Sequence, residues 1–196
     1  VNSRFGNSKS FNDLLYPKNQ LGYNKSLKDL ELPNLELTGS DFMEYNENLE
    51  SIKLDKLRRI HHNFLYHNKK LKELYIPNVE EISNYCLQCC DGLKDVVLPK
   101  VKTIGTSFLY SAKDIERFYA PNLEALSNYS LNCAKKIGNM YTPNLRQVGT
   151  NVLFSLVDIK EYDFSSLEEY SNTFMYEYEN RQYVLGGINE NRTSSK

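Results

Sequence analysis

The chain is expected to fold as a β-rich repeat solenoid of short parallel strands, and three observations predict it. A 22-residue unit recurs without a gap from Leu27 to Asn180, seven copies in succession. Four columns of that unit never admit a charge. Column one reads Leu27, Leu49, Leu71, Leu93, Ile115, Ile137, Ile159, and column four reads Leu30, Ile52, Leu74, Val96, Phe118, Met140, Tyr162. Column nine is Leu35, Leu57, Val79, Val101, Leu123, Leu145, Leu167, and column seventeen is Met43, Leu65, Leu87, Leu109, Leu131, Leu153, Met175. Finally, apolar residues at positions 4 and 6 alternate with polar or aromatic ones at 3 and 5, the period of a strand with one buried face. One such unit cannot bury its apolar set alone, so neighbours must stack and close one continuous core.

Residues 1–26 are expected to be an N-terminal cap made from a degenerate repeat. Phe5, Phe11, Leu14, Leu15 and Tyr16 supply its apolar material, and Leu14 precedes Leu21 by the interval that separates Phe64 from Leu71. Leu21 to Ser26 reads as an irregular insertion. Without a cover, the first unit would expose an apolar face and unpaired strand groups. The first full repeat is itself aberrant, with Leu37 at position 11 and Thr38 where the others carry an apolar residue.

Residues 27–180 form the seven repeats. After each strand, proline stands at position 7 in five of them (Pro33, Pro77, Pro99, Pro121, Pro143) and ends ladder pairing, because it has no N–H. Positions 9 to 12 read as a second short extended piece, with Gly39, Gly105 and Gly149 at position 13 where a bend is easiest. Positions 15 to 20 are expected to make a single helical or 3₁₀ turn. In residues 181–196, Arg181 to Leu185 is expected to add a strand and Gly186 to Lys196 a disordered tail; the abrupt ending NENRTSSK reads as a cut within a longer protein.

A period of 44 overlies the first. The repeats from Leu71 and Ile115 share SNY at positions 13 to 15, and those from Leu93 and Ile137 share GT. Column ten alternates in sign: Glu36, Arg58, Glu80, Lys102, Glu124, Arg146, Glu168. At a strand spacing of about 4.8 Å each charge would lie between two opposite ones, a register device whose exposed pairs contribute about 0.2 to 1 kcal/mol apiece.

In outline the unit is LxxLxLPxLxxIxxxFLxxC, and over residues 27–180 it resembles the leucine-rich repeats of the BspA type. The proline after the strand and the pairs Phe42 with Met43, Phe64 with Leu65, Phe108 with Leu109 and Phe174 with Met175 carry the resemblance, together with cysteine near the unit's end at Cys89 and Cys133. The asparagine-ladder form of leucine-rich repeat fits less well, since Asn at position 8 follows proline and gives way to Lys56, Lys100 and Ser166. The resemblance implies a right-handed, curved solenoid used for protein recognition, often on microbial surfaces, with no catalytic residues to transfer.

Composition narrows the function. With 196 residues, 40% hydrophobic and 25% charged, the chain is ordinary for one globular core. Lys plus Arg number 24 against 25 acids, so neither nucleic acid nor an anionic membrane is the expected partner. No apolar run approaches the roughly 18 to 20 residues of a membrane span, and no signal sequence opens the chain. The resemblance implies a cell-surface location, and composition leaves a cytoplasmic one open. Asn24, Asn128 and Asn191 begin Asn-x-Ser/Thr sequons.

The candidate site is the solvent face of the main sheet, where Tyr75, Tyr119 and Tyr141 fall at position 5 and Glu73, Asp95, Arg117 and Asn139 at position 3. Tyrosine offers large rigid contact area and a hydroxyl, which suits a patch that binds a protein. The competing account is that aromatics are good strand residues making cross-strand pairs. Tyr85, Tyr129, Tyr66, Tyr110 and Tyr176 are expected to be half-buried packing elsewhere.

Metal and catalysis have weaker support. Cys86, Cys89 and Cys90 spell CxxCC but replace Phe108, Ser111 and Ala112 of the next repeat, so they read as core substitutes. Cys89 and Cys133 lie two repeats apart, about 10 Å, beyond disulfide reach. His61 and His62 occupy turn positions and His67 a filler position, with no acid placed to orient an imidazole. No nucleophile motif or phosphate-cradling loop stands out, and no cofactor is expected. The expected function is therefore a non-catalytic protein-interaction module; the alternatives are a structural spacer, or an accessory domain of an enzyme lying outside this chain.

Overall fold

The computed structural model describes residues 3–4, 21–182, 184–185 and 188. Strand β1 (Ser3–Arg4) leads a main face built from β2 (Asp29–Glu31), β3 (Ser51–Lys53), β5 (Glu73–Tyr75), β7 (Asp95–Val97), β9 (Asp114–Tyr119), β11 (Lys136–Tyr141) and β13 (Asp158–Tyr162). A second face alternates with it along the chain: β4 (Arg59–Ile60), β6 (Glu81–Ile82), β8 (Thr103–Ile104), β10 (Ala125–Leu126), β12 (Gln147–Val148) and β14 (Glu169–Tyr170). All pairings are parallel and, within the repeats, link residues 22 apart, as in Leu30 with Ile52 and Phe118 with Met140. This is a parallel β-solenoid, as the columns predict.

The second face is one six-stranded sheet, whereas the main face comprises two four-stranded sheets, β1-β2-β3-β5 and β13-β11-β9-β7. β5 and β7 lie side by side across that seam. Leu74, in column four at the seam, is only partly buried, as is Tyr162; the rest of the four apolar columns is interior. Column seventeen is the most deeply placed, each of its seven members being fully enclosed.

Position 7 behaves as proline dictates. The N–H of position 6 still donates to the next repeat, as from Leu98 to the Tyr119 carbonyl at 2.8 Å and from Ala120 to Tyr141 at 3.0 Å, and the chain then turns. Column eight completes the turn: Asn78 Nδ2 donates to the Asp55 carbonyl at 2.7 Å, Asn122 to Pro99 at 2.6 Å and Asn144 to Pro121 at 2.7 Å. Its lysines do related work from the other side, Lys56 and Lys100 donating to Asn34 Oδ1 and Asn78 Oδ1 at 3.0 and 2.6 Å.

Positions 15 to 20 depart from the expected helical or 3₁₀ turn. Positions 15, 17 and 19 of the first six repeats are all left-handed, with φ between 51° and 64° across every such described residue, and none of these is glycine. Alternating hands turn successive amides to opposite sides. Position 15 and 19 N–H groups donate forward, as Tyr85 to the Thr106 carbonyl (2.7 Å) and Cys89 to Tyr110 (3.0 Å), while position 17 donates backward, as Leu87 to Phe64 (2.8 Å). Each interior repeat is thereby bonded to both neighbours through its turn as well as its strands.

The glycines of column thirteen are also explained differently, since no glycine among the described residues has a left-handed φ. A Cβ on Gly105 would lie 2.5 Å from Asn84 Oδ1 and 2.6 Å from the Ser83 carbonyl carbon. Asn84 Oδ1 accepts the Thr106 N–H at 2.8 Å, and Asn128 Oδ1 accepts that of Thr150 at 2.8 Å. The 44-residue period is thus a handshake: SNY in one repeat reaches across the glycine of GT in the next.

Both ends differ from expectation. β1 pairs with β2 at an offset of 27, as Arg4 with Glu31, but Tyr23 donates to the Glu44 carbonyl and Asn24 to Asn46 Oδ1 in the ordinary register of 22. Leu21 to Ser26 is therefore no insertion, since it follows the ordinary register of the repeats. Thr38 is buried, its Oγ1 accepting the His61 N–H at 3.3 Å. After the last repeat, residues 181, 182, 184, 185 and 188 are helical where a strand is expected. Val184 and Ile188 are buried against the core, and Arg181 donates from Nε to the Phe174 carbonyl and from Nη2 to Asn172, both at 2.8 Å. Of the expected tail, all but Ile188 lies outside the described residues.

Candidate recognition surface

Each predicted site residue stands on a main-face strand, because positions 3 and 5 point away from the core that positions 4 and 6 enter. Column five runs Lys53, Tyr75, Val97, Tyr119, Tyr141 across β3, β5, β7, β9 and β11. The tyrosines are open, with Tyr75 51%, Tyr141 44% and Tyr119 36% exposed. Tyr119 and Tyr141 stack at 5.3 Å with planes 9° apart, while Tyr75 stands apart with the Lys53 ammonium 5.8 Å from its ring centre. A hydrogen bond to Glu31 and the charge of Asp55 push the Lys53 ammonium above its ordinary pKa.

Column three gives the row its polar flank. Arg117 Nε is 2.9 Å from Asp95 Oδ1, and Asn139, which is only half-exposed, donates from Nδ2 to Glu161 Oε2. Glu73 is exposed beside Tyr75. Six of the seven site residues are exposed and Asn139 is half-exposed, with Arg117 tied to Asp95 and Asn139 to Glu161 on the same face.

Elsewhere the aromatic distribution corrects the expectation of half-buried packing. Tyr85, Tyr129 and Tyr176 are exposed, and only Tyr66 and Tyr110 are half-buried. Position 19 carries a stacked file that sequence reasoning missed: Tyr23 on Tyr45 and Tyr45 on His67, each at 5.0 Å. Beside it Tyr66 leans on His67 at 4.4 Å. Burial pushes the His67 imidazole down and the Glu44 carboxyl, which bonds Tyr23, up. Column twenty adds a short asparagine ladder, Asn46 N–H donating to Asn68 Oδ1 at 3.1 Å and Asn68 Nδ2 to the Met43 carbonyl at 2.8 Å.

The column-ten charges align through their backbones, yet among the described residues only Arg146 with Glu168 closes to an ion pair, at 3.7 Å. Inter-repeat pairs form in other columns instead, including Lys72 with Glu50 and Lys113 with Asp91, both at 2.9 Å. Glu36, Arg58 and Glu80 of column ten line a shallow groove together with Lys56, Asn78 and Lys100.

The cysteines are all free thiols. Cys86 and Cys90 are fully buried and donate to the His61 and Leu65 carbonyls at 3.2 Å, and burial pushes the Cys86 thiol up to about 12, the state of an unreactive core residue. Cys133 is exposed. Among the described residues no group of three or more His, Cys, Asp or Glu is placed to hold a metal ion, and no helix is long and apolar enough to cross a membrane.

A family model described as a BspA type leucine-rich repeat region matches residues 9–116 and 60–181, with 6 copies. No curated protein and no solved structure matches the chain.

Proposed function

The chain belongs to the BspA-type leucine-rich repeat family, a family of repeat scaffolds without catalytic machinery, and from that membership we propose that it binds a protein partner through the outward face of its main sheet. The observation that carries this reading is the open row of column five, in which Tyr75, Val97, Tyr119 and Tyr141 succeed one another on adjacent strands. A spacer has no use for large apolar rings held in water, whereas a recognition surface does. The stacked pair Tyr119 and Tyr141 is already ordered, so little side-chain freedom is lost on contact.

Capture of partners from cell and surface extracts tests the site. The double variant Tyr119→Ala, Tyr141→Ala is expected to lose a partner, by about tenfold or more in recovery, that the parent and a Tyr85→Ala control on the turn both retain. Equal recovery by all three proteins removes the tyrosine row from the function.

A further inference from the structure

Columns three and five together carry six carboxylates and two cations, a face four charges negative on a chain whose net charge is −1. Both cations are spent internally, Lys53 on Glu31 at 3.1 Å and Arg117 on Asp95 at 2.9 Å. Two of the four column-two lysines at the edge of this face engage other acids: Lys72 is 2.9 Å from Glu50, and Lys94 is 3.9 Å from Asp114. Glu73 beside Tyr75, and Glu161 and Asp163 beyond Tyr141, have no ion-pair partner among the described residues. The aromatic row thus ends at each side in a carboxylate that closes no direct ion pair among the described residues.

One tyrosine of the row already demonstrates what suits it. Lys53 holds its ammonium over the Tyr75 ring, the arrangement in which a cation meets the negative face of an aromatic. Tyr119 and Tyr141 receive no such internal cation among the described residues, and the alkyl surface of Val97 lies between Tyr75 and Tyr119. Lysine and arginine match that sequence of surfaces: an apolar stem for valine and ring faces, and a charged head for the carboxylates at the margin.

Resting on the recognition reading above, we propose that the partner segment taken by this face is cationic, a lysine- or arginine-bearing stretch of polypeptide. Its stems lie along Tyr75, Val97, Tyr119 and Tyr141, and its heads pair with Glu73 at one end and with Glu161 and Asp163 at the other. The acidic field also draws such a segment in from solution, over a distance of about 10 Å at moderate salt.

The test is a selection of random displayed peptides of about twelve residues on the intact protein, repeated on Tyr119→Ala, Tyr141→Ala and on Glu73→Gln, Glu161→Gln. These are exposed side chains, and melting curves that overlay the parent's verify the fold. The expected result is enrichment of Lys- and Arg-bearing peptides on the parent, lost on both variants, with affinity falling about tenfold or more between roughly 50 and 500 mM salt. Tyrosine-dependent enrichment of neutral or acidic peptides would overturn the cationic assignment while leaving the recognition surface in place. Enrichment that ignores the tyrosines, or none at all, would overturn both.

Discussion

At the scale of the residue, the most informative side chains are those that are never present. Columns one, four, nine and twelve admit isoleucine or valine, but column seventeen is only leucine or methionine, and among the described residues no β-branched residue occupies a left-handed position. Branching at Cβ collides with the backbone at positive φ, so the restriction is steric and not a matter of hydrophobicity. Thr173, at position 15 of the last repeat, is the exception in sequence, and there the backbone is not left-handed. Tyr129, exposed with φ of 60°, offers a clean test. Tyr129→Ile should cost about 1–2 kcal/mol in a denaturant melt, and Tyr129→Gly should be more stable than the isoleucine variant by a similar margin.

At the scale of the element, the turn between repeats is a bonded unit in its own right. Asn84 and Gly105 show how two repeats share one corner: the asparagine oxygen takes the Thr106 amide, and the glycine leaves room for it. Gly105→Ala would press a methyl against the Ser83 backbone at 2.6 Å, which only a backbone shift can relieve. A loss of about 1–3 kcal/mol is expected, measured as a lowered denaturation midpoint. An unchanged midpoint would mean that the close approach is absent in solution. The same elements explain why column ten is a weak ladder: its backbones are locked in register, but its exposed side chains gain too little from pairing in water to be held there.

At the scale of the whole molecule, stability accumulates along one axis. Every interior repeat bonds both neighbours, and the buried files of columns nine and seventeen run through the interior. Removing one central member should therefore be felt as a cavity: Leu87→Ala is expected to cost about 2–5 kcal/mol in denaturant unfolding. A loss below about 1 kcal/mol would contradict its enclosure. The two ends are closed by different means, β1 on the first main-face strand and the helical segment from Arg181 over the last core layer.

The amino-acid order alone determined the period, the interior columns, the strand positions, the breaks at proline and the outward placement of Tyr75, Tyr119 and Tyr141. These follow from which side chains avoid water, and burial repeats with the unit. Tertiary structure alone decided the hand of the turn, the purpose of Gly105 and Gly149, the open spacing of most column-ten charges and the helical segment from Arg181. Each of those depends on what a backbone amide or a Cβ meets in the adjacent repeat, 22 residues away, and a hydrophobic pattern carries no record of where an amide points.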